Sequence, residues 1–193
     1  MQSLSVFCGA SAGNKEIYRL KAEELGRKMC ERNIDLVFGG GKVGMMGFIA
    51  DEVIKNNGKV TGVIPHFLSS KEVEHDGCSE IIRVDTMHDR KMEMFKISQG
   101  AIAMPGGYGT FDEVFEMLTW AQLGLHTYPI GFLNINSYFD SLCEMVENMY
   151  KEGFLKQSHL NMIIIEEDID ILLDKMEKYQ APEVPKWIRS ENI

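Results

Sequence analysis

Nine consecutive residues of the 193-residue chain, Pro105-Gly106-Gly107-Tyr108-Gly109-Thr110-Phe111-Asp112-Glu113, combine the parts that phosphate chemistry needs. They follow Ala101-Ile102-Ala103-Met104, an apolar run that reads as the end of a buried strand, and precede a segment of helical periodicity at 111–125. A glycine turn between strand and helix leaves backbone N–H groups free. The helix dipole adds positive potential there, so the turn is a ready anion site. Glu113 brings a carboxylate to the same place. A local role competes for it: Thr110-Phe111-Asp112-Glu113 has the form of a capping box, with Thr110 as N-cap and Glu113 three residues on. A cap also fixes the position of a carboxylate, so the two roles are compatible.

A second set of charges lies in Met87-His88-Asp89-Arg90-Lys91. Adjacent cations there fit a solvated helix face. Near a helix start, however, the dipole disfavours them, and a neighbouring acid or a substrate phosphate would remove the conflict. Gly39-Gly40-Gly41-Lys42-Val43-Gly44 has the GxGxxG spacing of a dinucleotide loop. That reading needs an acid at the end of the next strand to hold a ribose, and this strand ends Val63-Ile64-Pro65-His66. A tight turn with close helix–strand packing explains the same glycines. The sequence has neither a GxxxxGK[ST] loop nor a GxSxG elbow, and its five histidines form no HExxH pair, so no metal site is expected.

These groups must be positioned by the elements around them, and strand and helix signals alternate along the whole chain. Strands are expected at Leu4–Cys8, Ile34–Phe38, Val60–Ile64, Ile81–Val84, Ala101–Met104, Ile130–Leu133 and Met162–Ile165. Helical stripes lie between them, and residues 66–79 read as an irregular loop. The alternation implies one doubly wound parallel sheet with helices on both faces, a Rossmann-like α/β fold. Such sheets bind ligands beyond the carboxyl ends of their strands. The glycine clusters at 9–13, 39–47 and 106–109 all follow strands, so all three can open into one crevice. One catalytic domain is expected over 1–181, with a tail over 182–193 that carries two prolines and Trp187.

Composition narrows the partners. The net charge of −9 disfavours nucleic acid, whose binding requires Lys and Arg to neutralise phosphates, but leaves room for a small phosphorylated ligand. No apolar run approaches a membrane span. Cys8, Cys30, Cys78 and Cys143 are far apart and form no CxxC pair, which fits a reducing cytoplasm. The thirteen methionines fall at helical spacings and read as core, a few of them as pocket lining.

Taken together, these residues resemble the LOG ("Lonely Guy") family of cytokinin riboside 5′-monophosphate phosphoribohydrolases, also labelled lysine decarboxylase-like. Residues 105–113 match its PGGxGTxxE signature throughout, and Met87-His88-Asp89-Arg90-Lys91 matches its second element. The stretch 37–47 and the segment Leu118-Thr119-Trp120-Ala121-Gln122-Leu123-Gly124 are also similar to family sequences. The resemblance implies a Rossmann-like dimer that cleaves adenine-type nucleoside 5′-monophosphates to free base and ribose 5-phosphate. Water is the second substrate, so no cofactor is implied. By position it implies Arg90 and Glu113 as the catalytic pair. Lys91, Gly107, Tyr108, Gly109, Thr110, Phe111, Asp112 and Thr119 become substrate contacts. Glu72 is the match for a substrate-binding acid in a variable loop that diverges here, and Asp112 stands where many members have Glu. A non-catalytic nucleotide sensor using the same crevice is the competing expectation. Preference among AMP and N6-prenylated nucleotides is not written in these motifs.

Overall fold

The computed structural model describes residues 1–69 and 74–183. The first half of the chain runs β1 (Ser3–Phe7), α1 (Glu16–Glu31), β2 (Asp35–Phe38), α2 (Gly44–Lys55), β3 (Val60–Pro65), the single turn α3 (His66–Ser69) and β4 (Glu80–Val84). The second half runs α4 (Met87–Lys96), β5 (Ala101–Ala103), α5 (Tyr108–Gln122), β6 (Ile130–Leu133), α6 (Asp140–Lys151), α7 (Gln157–Leu160), β7 (Ile163–Glu166) and α8 (Ile169–Glu177). All seven expected strands form, within a residue or so of their expected ends. The expected loop at 66–79 begins with α3, and the expected tail lies outside the described residues from 184 onward.

The strands make one parallel sheet in the order β4-β3-β2-β1-β5-β6-β7. The chain winds outward from β1 to β4, returns to the centre, and winds outward again from β5. The order therefore reverses between β1 and β5, where a doubly wound sheet opens a crevice.

The strand sequences explain why both faces are covered. Successive side chains of a strand point to opposite faces. Leu36 and Phe38 enter one core with Leu25, Met29, Ile49 and Leu172, while Val37 between them enters the other with Met94, Val114, Met117 and Phe132. β2 is thus apolar at consecutive positions, as a strand buried on both faces must be. The edge strand β4 is only partly buried.

Candidate active site

A crevice of about 570 Å³ opens at the carboxyl ends of the central strands, at the reversal of strand order. The loop after β1 (Gly9 to Gly13), Gly39 after β2, and Gly106, Gly107 and Gly109 after β5 all border it. The three glycine clusters therefore converge as expected. Backbone ties fix them to each other: Gly9 N–H donates to the Pro105 carbonyl at 3.1 Å, and Met45 N–H donates to the Gly9 carbonyl at 3.1 Å.

The expected capping box at Thr110–Glu113 does not form. Helix α5 begins at Tyr108, with Gly107 as an N-cap in extended conformation and no side-chain cap. Thr110 is already helical there, so its side chain cannot cap, and Glu113 falls in the second turn. The first backbone bond at this end runs from Phe111 N–H to the Gly107 carbonyl at 3.3 Å. The N–H groups of Tyr108, Gly109 and Thr110 thus precede the α-helical ladder, as unsatisfied first-turn donors do. Glu113 is released from the cap and lies buried, 8% exposed, on the crevice wall.

Arg90 meets it from α4. The capping box that does form is here: Asp89 N–H donates to Thr86 Oγ1 at 3.0 Å, and Thr86 N–H donates to Asp89 Oδ2 at 3.1 Å. Asp89 supplies the negative charge that the helix start lacked. Arg90 is 7% exposed rather than part of a solvated face. Its Nη2 donates to the Gly39 carbonyl at 3.3 Å and stands 3.7 Å from Glu113 Oε1. Its Nε is buried without a hydrogen-bond partner among the described residues. The guanidinium occupies the space of a side chain at 39: a Cβ there would lie 1.9 Å from Arg90 Nη2 and would displace it.

Apolar and aromatic side chains complete the lining of the crevice around this pair. Met46 lies beside Gly39 and Arg90, and Met45, Met87 and Leu68 also line the crevice. Tyr18 and Tyr138 line it too, their rings edge to face at 6.3 Å. Cys8 forms part of the lining; burial pushes its thiol well above the usual range, the Glu113 charge adds to this, and Arg90 opposes it. Cys8 is a neutral thiol in this setting. Tyr18, Tyr138 and Cys8 were not singled out from sequence. The available signal was position: Cys8 and Tyr138 follow strands that end at the ligand-binding edge, and Tyr18 lies in the first turn of the helix after the first glycine loop.

Arg90, Gly107, Gly109, Thr110 and Glu113 therefore come together on one wall. Among the described residues, the other expected contacts do not line this crevice in a single chain. Lys91 Nζ bridges Asp112 Oδ2 at 3.1 Å and Glu116 Oε2 at 2.8 Å, tying α4 to α5. Burial opposes the Lys91 charge, but these two carboxylates outweigh it and hold its pKa above the ordinary lysine value. Tyr108 is 96% exposed, and Phe111 packs on Phe115 and Phe139. Thr119 donates to the Phe115 carbonyl at 2.8 Å and borders a separate apolar groove of about 270 Å³ with Leu118, Met149 and Phe154. Glu72 lies outside the described residues. Among the described residues no cluster of three or more His, Cys, Asp or Glu could hold a metal ion, and no helix is long and apolar enough to cross a membrane.

Residues 46–176 match the family described as "Possible lysine decarboxylase". The chain is 43% identical over 183 residues to the cytokinin riboside 5′-monophosphate phosphoribohydrolase LOG2 of Arabidopsis thaliana, covering 95% of this chain and 84% of that protein. It is 44% identical to the probable phosphoribohydrolase LOGL9 of Oryza sativa subsp. japonica, covering 90% and 77%. Among solved structures, the molybdenum cofactor binding protein of Rippkaea orientalis superposes with a TM-score of 0.68 at 20% identity, covering 91% of this chain and 95% of that one. A structural-genomics target solved by X-ray crystallography gives 0.71 at 16% identity, covering 93% and 100%. At these identities the two structures establish the shared fold alone.

Proposed function

The chain belongs to the LOG family, and on that premise we propose that it hydrolyses the N-glycosidic bond of adenine-type nucleoside 5′-monophosphates, yielding free base and ribose 5-phosphate. One observation carries the reading. The buried Arg90–Glu113 pair sits on the wall of a crevice into which an uncapped helix start opens. An anion-binding helix end and a carboxylate side by side are what a phosphorylated glycoside requires.

The 5′-phosphate is assigned to the backbone donors at the start of α5. Gly107 and Gly109 support this, because a Cβ at either meets nothing within 4 Å. Neither is glycine for lack of packing space, and close approach of a ligand gives a reason for the missing side chains. Cleavage of C1′–N9 builds positive charge on the ribose while the bonding electrons leave with the base. Glu113 stabilises that charge and accepts a proton from the attacking water, whose oxygen bonds to C1′; the departing base takes a proton at nitrogen from solvent, and Glu113 then returns its own to solvent. Arg90 orients the Glu113 carboxylate from its anchor on the Gly39 carbonyl. The apolar flank of Met45, Met46, Met87 and Leu68 suits a purine and an N6 substituent.

We also place the chain in the cytoplasm, on the strength of its four free thiols, and in a homodimer. Phe154 (85% exposed) borders the apolar Thr119 groove with Leu118 and Met149, and α6 also exposes Met145 and Tyr150 (54 and 40%); a second copy would cover this apolar surface. In this arrangement Thr119, Asp112 and Lys91 act on substrate near that covered face rather than from the wall of one chain. Phe154→Asp should then shift the sedimenting species from dimer to monomer; an unchanged dimer would place the interface elsewhere.

The decisive experiment is incubation with AMP and with N6-isopentenyladenosine 5′-monophosphate, followed by chromatography of the free base and assay of ribose 5-phosphate. Release of both products in equal amounts is expected. Binding without turnover would instead identify a non-catalytic nucleotide sensor.

A further inference from the structure

Tyr138 has no role in the site described above, yet the fold delivers it there at a conformational cost. It follows β6 through a one-turn 3₁₀ helix, Ile135–Ser137, in which Asn136 and Ser137 are both left-handed, with φ of 54° and 58°. Non-glycine residues seldom adopt that region, and such strain persists only where the surroundings over-determine it. Here they do. Asn134 Oδ1 accepts from Phe139 N–H at 2.7 Å, and Asn134 Nδ2 donates to Asp140 Oδ1 at 2.7 Å. Phe139 itself is fully buried against Phe132 and Phe111.

This turn brings the Tyr138 hydroxyl onto the glycine loop after β5, where it donates to the Gly106 carbonyl. The preceding carbonyl, Pro105, is held by Gly9 N–H. Two consecutive carbonyls of the loop are therefore tied, one by backbone and one by a side chain. In a trans peptide the C=O and the following N–H point in opposite directions. Holding the Gly106 carbonyl toward Tyr138 consequently turns the Gly107 N–H the other way, and holding Pro105 does the same for Gly106 N–H. No steric neighbour would do this for Gly107, whose Cβ position is empty space. The close packing of Gly106 against Gly9 and Thr110 limits its freedom, and the tyrosine bond holds its carbonyl.

We propose that Tyr138 is a positioning residue of the phosphate cradle: its hydroxyl fixes the Gly106–Gly107 peptide so that the loop presents its N–H groups to the substrate phosphate. The proposal rests on the nucleotide-hydrolase reading for the identity of the ligand, but the orientation of the loop is independent of which base is attached. Tyr18 braces the ring edge to face, so Phe at 138 keeps the packing and loses only the hydrogen bond.

The test is Tyr138→Phe, read by steady-state hydrolysis of AMP or N6-isopentenyladenosine 5′-monophosphate and by calorimetric binding of ribose 5-phosphate. KM should rise, and ribose 5-phosphate affinity fall, by the same factor, about two- to tenfold, which is the net worth of one neutral hydrogen bond. The turnover number should change much less, and affinity for the corresponding nucleoside, which lacks the phosphate, should not follow the loss. Unchanged ribose 5-phosphate affinity, or an equal loss for nucleotide and nucleoside, would overturn the proposal. A wild-type protein that binds ribose 5-phosphate but releases no base would refute the hydrolase reading while leaving the binding arm of this test intact.

Discussion

Replacing Glu113 by glutamine removes one charge and almost no volume, and the structure says what that should cost. The carboxylate stands 3.7 Å from Arg90 Nη2, and both side chains are more than nine-tenths buried. At an effective dielectric constant of about 20, their gross attraction is about 4 kcal/mol. Removing one partner of a buried pair leaves the other charge uncompensated, which typically costs about 3–5 kcal/mol. Arg90 keeps the Gly39 carbonyl and borders an open crevice, so the lower end, about 3 kcal/mol, applies. For a chain of this length that corresponds to about 6–12 °C in melting temperature. The catalytic effect should be larger than the loss of folded protein explains. A carboxylate acting on the attacking water is worth about 10²–10⁴-fold in kcat. Base release from N6-isopentenyladenosine 5′-monophosphate should fall by that factor at a temperature where the variant is folded. Ribose 5-phosphate should still bind, because the donors at the start of α5 are untouched. A kcat within tenfold of wild type in folded Glu113→Gln would refute the assignment of Glu113 as the reacting carboxylate.

Three further outcomes follow from other parts of the molecule. Gly39→Ala and Gly107→Ala should fail differently: a Cβ at 39 collides with the Arg90 guanidinium and should lower kcat, whereas one at 107 meets nothing, so that variant should melt like wild type and lose nucleotide affinity. Kinetics beside thermal melts separate the two, and a Gly107→Ala variant with wild-type KM would argue against a phosphate at that loop. Glu52, buried between α1 and α2, has its carboxyl held below the ordinary glutamate value: burial alone would raise it, but Lys55, Asn56 and Arg27 outweigh that. A depressed folded pKa means stability that is present above the ordinary value and lost as pH falls through the folded one. Glu52→Gln should cost about 1–2 kcal/mol at neutral pH, given its partly exposed partners, and the difference in urea unfolding should vanish in acid. Finally, burial raises all four thiols, Cys78 to about 11 with help from Glu74 and Asp76. Native protein should therefore alkylate slowly with iodoacetamide near neutral pH and rapidly once unfolded, as intact mass would record; fast native labelling would contradict the burial.

Sequence alone determined the strands and their order along the chain, because a strand buried on both faces must be apolar at consecutive positions, and a glycine cluster marks the turn after several of them. Leu36-Val37-Phe38 followed by Gly39 shows both signals. The same logic brought the three glycine clusters to one edge, and the family motifs carried Arg90 and Glu113 with them. What sequence could not decide was which local option wins where two are chemically sound. Thr110-Phe111-Asp112-Glu113 is a valid capping box, and only the tertiary structure starts the helix three residues earlier, at Tyr108, freeing the acid to face Arg90. Arg90 and Lys91 are neighbours in sequence with opposite fates, one buried against Gly39 and Glu113 and the other bridging Asp112 and Glu116. Tyr138 reaches Gly106 across 32 residues through a strained turn that no periodicity announces. Local patterns report which conformations a segment can adopt. The long-range contacts that choose among them, a guanidinium in the space of a missing Cβ and a hydroxyl on a loop carbonyl, exist only once the sheet has assembled.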